Sequence, residues 1–249
     1  MTRGPRSALA MPSRPRLSRR SNVERTASAR RVIIGAAIDI LASKGFSALS
    51  NSAILSRTSI SSGALMHHFP SRSDLLVAVV ENAYATLQEF RRRQLEGLEI
   101  GLPRFRAIID LAWLTSQTPQ GIAVNEVRIG ARSDGSLARS VSPILTHIAN
   151  DYGRFVGRLV REAGLKSVPE MQGLWAATAM AVRSLAIDRS TYQNQQNAVN
   201  ALFALRMLRE ELIARELGRK LCIDPSLPNI AISEPSASAT SRRPAKTKR

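Results

Sequence analysis

SISSGALMHHFPSRSDLL, Ser59–Leu76, is the stretch whose reading decides the fold. Ser61 suits a helix N-cap, and Pro70 disfavours helical backbone at Phe69, so any helix between them has about two turns. That is too short and too polar for a core helix, and it lacks the alternation of a strand. Immediately after it, Ser71-Arg72-Ser73-Asp74 has the capping-box spacing of a serine with an acid three residues on, which starts another helix. Packing accounts for Leu65 and Phe69. It does not account for Gly63, Ala64, His67 and His68.

The flanking residues supply the context. Ile34, Ala37, Ile38 and Leu41 recur at helical spacing and Gly45 offers a C-terminal cap, which predicts a helix over about 24–44. Ser50 caps a second helix carrying Ile54 and Leu55, and Thr58-Ser59-Ile60 breaks it from the third. Beyond the capping box, Leu75, Leu76, Val79, Ala83, Leu87 and Phe90 share one stripe of a fourth helix, which runs into Arg91-Arg92-Arg93, read as a solvated end. Short helices with a tight break between the second and third match a helix-turn-helix.

A helix that enters the major groove needs small residues where its backbone nears DNA and donors elsewhere. Gly63 and Ala64 supply the first. Ser61 and Ser62 sit at the helix N-terminus, where free N–H groups and the helix dipole favour phosphate. His67 and His68 can donate to bases or phosphates, and Arg72 begins the next helix, placed for a phosphate. With Ser50, Arg57 and Met66 these residues form the expected DNA-binding set. Adjacent helix residues diverge by about 100°, so the two histidines do not suggest a shared metal ion.

From Arg30 to Glu81 the chain resembles the TetR (tetracycline-repressor-like) transcriptional regulators. The resemblance is carried by IIGAAIDILASKGF with its Ala36-Ala37 pair and terminal Gly45-Phe46. It continues through Ser50, Ile54, Arg57, Ile60-Ser61, Gly63 and Leu65 to the string His67-His68-Phe69-Pro70-Ser71-Arg72 and Leu75-Leu76. Against that pattern, Leu55 replaces an alanine, Ser59 a glycine, Ser62 a lysine, Ala64 a threonine and Met66 a tyrosine. The lysine and tyrosine of the family typically touch DNA phosphates, so this helix is expected to lose some non-specific affinity. The arginine-rich N-terminus is expected to compensate along the minor groove. An unchanged affinity and salt slope after deletion of residues 1–22 is the result that excludes this.

Past Gly97 the pattern stays helical, with helices expected near 103–117, 120–132, 136–163, 170–189 and 195–219, and a kink or division at Pro143. No strand pattern or internal repeat is present. The fold class is all-α: an N-terminal three-helix helix-turn-helix DNA-binding domain, then a larger helical ligand-binding and dimerisation domain. The expected division is a disordered basic arm over 1–22, the DNA-binding domain over 23–90, the helical domain over 91–222 and a disordered basic tail over 223–249. In 170–189, Met171, Leu174, Trp175, Thr178, Val182 and Leu185 form a stripe, and in 195–219 Ala198, Leu202, Leu205, Leu208 and Leu212 form another. Arg206 with Glu210, and Glu211 with Arg215, have the spacing of exposed pairs. The stripes suit a bundle core and a dimer interface equally. The resemblance implies the latter, through Leu174, Thr178, Val182, Leu202, Leu205 and Leu208. It also implies an unidentified small-molecule effector among the middle helices, with Trp113, Gln117, Asn125, Glu126, Arg128, His147 and Trp175 as lining residues. Glu126 and Arg128 stand out because they interrupt an apolar stretch, AVNEVRIGA.

Composition agrees and narrows the classes. Aromatic residues are only 4% while alanine, leucine and arginine dominate, which favours helix over sheet. Of a net charge of +17, six arginines without an acid lie in 1–22 and five basic residues without an acid in 235–249, leaving +6 for 23–234. A basic chain attracts double-stranded DNA, although arginine-rich solvated tails read equally well for the ends alone. Cys222 is the single cysteine, so no intrachain disulfide forms and a reducing cytoplasm fits. The N-terminus lacks the apolar run of a secretory signal. Its Arg- and Ser-rich character is transit-peptide-like, but Pro5, Pro12 and Pro15 oppose the amphipathic helix that role needs, and Met11 is a second possible start. No membrane partner is expected. His67, His68 and His147 are the only histidines, and none has a nucleophile or carboxylate at a recognised spacing, so no catalytic residue, cofactor or metal is expected. The reading is a sequence-specific transcriptional regulator, a ligand-responsive homodimeric repressor on a roughly palindromic operator. The alternative is a helical small-molecule-binding protein with a weakened DNA-binding head.

Overall fold

The computed structural model describes residues 22–219 apart from 167, 193 and 194, so the basic arm, the tail and Cys222 lie outside the described residues. Helices account for the architecture: α1 (Asn22–Lys44), α2 (Asn51–Leu55), α3 (Ser62–His68), α4 (Arg72–Glu96), α5 (Leu102–Arg106), α6 (Ile108–Gln117), α7 (Pro119–Ser133), α8 (Gly135–Glu162), α9 (Val168–Tyr192) and α10 (Gln195–Glu216), with a 3-10 turn at Phe46–Ala48. No strand occurs among the described residues.

The caps are as expected. Ser50 accepts from the Ala53 N–H, Ser61 from Ala64, and Ser71 from Asp74, whose carboxylate returns to the Ser71 N–H at 3.0 Å. Leu65 and Phe69 are buried, as their spacing required, together with Ile33, Ala37, Ile54 and Leu76. This core does not stop at the head: Ala123, Val127, Leu137, Val141 and Ile148 of α7 and α8 complete it. The expected boundary near residue 90 therefore falls inside an unbroken α4.

One helix expectation is corrected and one is narrowed. The segment 103–117 is two helices, because at Arg106 the carbonyl accepts a hydrogen bond from the Arg209 guanidinium and the chain steps at Ala107. Pro143 does not divide α8. It is exposed, as is Arg139, so the carbonyl that lacks a helical donor there lies on the wet side.

The charge pairing in the bundle also differs. Arg206 pairs with Asp110, and Glu210 pairs with Arg106 at 2.8 Å and Arg209 at 2.9 Å, so Arg206 and Glu210 are not an exposed helical pair. Arg215 reaches Glu170 at 3.6 Å rather than Glu211. Of the Arg91–Arg93 run, Arg92 and Arg93 are exposed and pair with Glu89, but Arg91 is buried, its guanidinium 4.4 Å from the centre of the Tyr152 ring. Burial pushes that guanidinium down to about 10, so it stays protonated near neutral pH.

Candidate nucleic-acid interface and ligand cavity

α3 is held from behind and open in front. Leu65 and Phe69 anchor it, and the Arg30 guanidinium lies 4.7 Å from the Phe69 ring centre. Ser61, Ser62, Gly63, Met66 and His67 are exposed, while Ala64 and His68 are half-buried. A Cβ built on Gly63 meets nothing within 4 Å, so its small size serves no contact inside the protein. Ser50 and Arg57 are exposed at the two ends of α2, and Asn51 donates to the Met66 sulfur at 3.5 Å. Ser50 and Ser61 use their oxygens as caps, which leaves each hydroxyl hydrogen available to an acceptor.

Arg72 also has a contact within the protein. It is exposed, but its guanidinium donates to the Phe46 carbonyl at 3.0 Å and lies 4.5 Å from the Phe46 ring centre. Its guanidinium therefore supports Phe46 from the exposed side of the head.

Phe46 is the hub between the head and α7. Its N–H donates to Glu126 at 2.7 Å, and its ring packs on Gly130, where an added Cβ would stand 2.4 Å from the ring. Gly45, at φ 80°, turns the chain so that this N–H faces α7. Glu126 is thus corrected from cavity residue to docking residue: its carboxylate satisfies a backbone donor of the head. The AVNEVRIGA stretch is a docking surface one turn long, with Glu126 and Gly130 at adjacent helical positions.

A cavity of about 410 Å³ lies between α4, α6, α7, α8 and α9. Of the expected lining residues, Asn125, Arg128 and Trp175 border it. Trp113, Gln117 and His147 do not: Trp113 packs near Ile109 and Val182, Gln117 donates to the Ser116 hydroxyl at 3.0 Å, and His147 is exposed on α8. The cavity's aromatic wall is Trp175 stacked on Tyr152, with centroids 5.0 Å apart and planes 14° from parallel. Tyr84 also lines the cavity, and its hydroxyl donates to Asp151, with Gln88 donating to both at 2.7 Å. Burial, reinforced by the Asp151 bond, raises the Tyr84 phenol well above its usual range. Arg183 also borders the cavity and was missed. Its signal was present, since it interrupts the apolar run MAVRSLA as Arg128 interrupts its own.

The dimer residues are largely corrected. Leu174, Thr178, Val182 and Leu202 are all at most 6% exposed inside the protomer, and Leu205 packs against the same core. Leu208 alone of the set is well exposed, at 46%. The outward faces of α9 and α10 are instead made by Met180, Ile187, Val199, Phe203 and Leu208.

Comparison with known proteins bears on this arrangement. Residues 33–79, from the middle of α1 into α4, match the model of bacterial regulatory proteins of the tetR family. The HTH-type transcriptional regulator CymR of Pseudomonas putida is 32% identical over 81 residues, 32% of this chain and 40% of that protein. Residues 33–79 thus carry a DNA-binding region of the tetR-family type. The chain spans about two fifths of the length of the curated relative it matches. Among solved structures, Salmonella enterica GusR superposes with a TM-score of 0.57 at 20% identity, covering 74% of this chain and 95% of that one. The multidrug binding protein EbrR, complexed with imidazole, gives a TM-score of 0.51 at 17% identity, covering 72% and 93%. At these identities the likeness shows that the TetR-type fold extends over the helical bundle. Among the described residues no helix is long and apolar enough to cross a membrane.

Proposed function

We propose that this chain is a cytoplasmic, sequence-specific transcriptional regulator of the TetR family, a ligand-responsive repressor that binds a roughly palindromic operator as a homodimer. The observation that carries the reading is α3: a two-turn helix anchored by Leu65 and Phe69 whose opposite face presents Ser62, Gly63, Met66 and His67 to solvent. Such a helix, preceded by the capped α2, suits insertion in a major groove. The absence of the family's phosphate-gripping lysine and tyrosine at Ser62 and Met66 places more of the electrostatic attraction on Arg57 and the basic arm.

The outward apolar residues of α9 and α10 support pairing of two copies, since Phe203 is 55% and Met180 64% exposed on adjacent helices. The cavity supports ligand response, and the neighbour EbrR is itself described as binding small molecules. Because α7 borders the cavity and also docks Phe46, a ligand that moves α7 shifts the head between DNA-competent and incompetent placements.

Selection of bound sequences from a random DNA pool tests this directly. A near-palindromic motif is expected, with salt-dependent affinity. A pool that yields no enriched motif at any salt, from protein that still binds ligands, would favour the small-molecule binder with a weakened head.

A further inference from the structure

The half-buried and buried arginines of the bundle outside the cavity each have a partner, an acid for three of them, the Tyr152 and Tyr84 rings for Arg91 and the Leu98 carbonyl for Arg104. Arg106 and Arg209 share Glu210, and Arg206 holds Asp110. The two arginines that border the cavity have no acid, carbonyl or ring partner of this kind among the described residues. Arg128 comes from α7 and Arg183 from α9, both half-buried, and among the described residues neither has an ion pair or a hydrogen bond to a protein group. No carboxylate lines the cavity. Burial lowers both guanidiniums from their ordinary range, and the Arg183 charge lowers Arg128 further, so the two cations sense one another.

Two like charges turned toward one half-buried space are unfavourable unless an anion lies with them. Guanidinium forks match oxyanions in geometry as well as charge. Most of the rest of the wall is apolar, with Leu87, Ile148, Met180 and the Tyr152–Trp175 stack, and the Tyr84 hydroxyl is spent on Asp151. Thr115 and Ser116 also border it, but both spend their hydroxyl hydrogens on backbone carbonyls of α6. Arg128 follows Asn125 by three residues, so both face the cavity from one side of α7. The volume is in the range of small-molecule sites.

We infer that the cavity binds an organic anion, its carboxylate or sulfonate held between Arg128 and Arg183 and its apolar, preferably aromatic, body against Tyr152 and Trp175. Binding rests on the cavity alone. Only its regulatory consequence rests on the function proposed above. Arg128 stands two residues from Glu126 on the same helix, so an anion that draws Arg128 toward Arg183 pulls on the helix that holds Phe46.

The test uses the full chain and two fluorescent probes of one shape class: 8-anilinonaphthalene-1-sulfonate, and N-phenyl-1-naphthylamine, which lacks the sulfonate. The sulfonate probe is expected to bind saturably and to weaken about tenfold in each of Arg128→Gln and Arg183→Gln, as for loss of one charge-assisted hydrogen-bond partner. The neutral probe should change by less than about twofold, and Arg158→Gln, on the groove between α4 and α8, should leave both probes unchanged. Because the guanidiniums repel without a ligand, both glutamine variants should keep or raise the melting temperature of the ligand-free protein, which also shows that they fold. The inference is overturned if sulfonate binding is absent or indifferent to both arginines. It is equally overturned if the neutral probe loses as much as the anionic one, or if either variant melts several degrees lower without ligand. Sulfonate binding that depends on both arginines in a protein selecting no DNA motif keeps this inference and removes the regulator; a selected motif without arginine-dependent binding does the reverse.

Discussion

In the head, polar groups are satisfied close by: Ser50, Ser61 and Ser71 each accept from a backbone N–H three residues on. In the distal bundle the partners are far apart in sequence, Arg106 with Glu210 across 104 residues and Arg206 with Asp110 across 96. The head is a set of locally specified turns around an aliphatic core. The bundle is tied by buried charges that have meaning only once α5, α6 and α10 have come together. Removing a partner should therefore cost little in the head and much in the bundle.

The largest effect should come from Glu210→Ala, which leaves Arg209 buried without its carboxylate and frees Arg106. A loss of about 4 kcal/mol in urea denaturation is expected, because an orphaned buried charge is the costly outcome of breaking such a pair. A loss below 1 kcal/mol would mean that the bundle does not depend on its charges and that the contrast with the head is empty.

Gly130→Val probes the seam between the two regions. Its Cβ would meet the Phe46 ring well inside van der Waals distance, so about 3 kcal/mol of overpacking is expected. Combining it with Phe46→Ala should recover part of the loss in a double-mutant cycle. Strict additivity would show that the head and α7 do not press on one another.

Within the head, Ser61→Ala should cost only about 1 kcal/mol, the usual scale for an N-cap, read from the same denaturation curves. Arg91→Met is expected to change stability by less than about 1 kcal/mol, or to raise it. Arg91 Nη1 is buried without a hydrogen-bond partner and the guanidinium rests on the Tyr152 and Tyr84 rings, so an apolar side chain of similar length gives up little. A loss of several kcal/mol there would mark the aromatic contact as a structural tie equal to the ion pairs.

The same contrast explains what could be read from the amino-acid order. The caps at Ser50, Ser61 and Ser71, and the anchors Leu65 and Phe69, were legible because their partners or periods lie within one or two turns. The pairing of Arg206 and Glu210 was misread because helical spacing offered a local partner while Asp110 and Arg106 lay on other helices. The stripe expected at a dimer interface lies inside the protomer because α9 and α10 are apolar on both sides: Leu174 and Val182 face inward while Met180 and Ile187 face outward. Periodicity finds two apolar faces and does not say which one meets a partner. Glu126 and Arg128 were noticed together as charges in an apolar run. Only the fold separates them, one turned to Phe46 and the other to the cavity.

Ala176 and Met180 border the cavity and are also exposed on the outward apolar face, so the mouth of the cavity overlaps the surface proposed for a second copy. Association of two copies would then close the mouth, and by mass action the two equilibria move together. The ligand concentration at half-saturation should fall as the protein concentration rises through the dimer dissociation constant. A cell making more of this chain would then sense the same ligand at a lower level, with no change in any residue of the site.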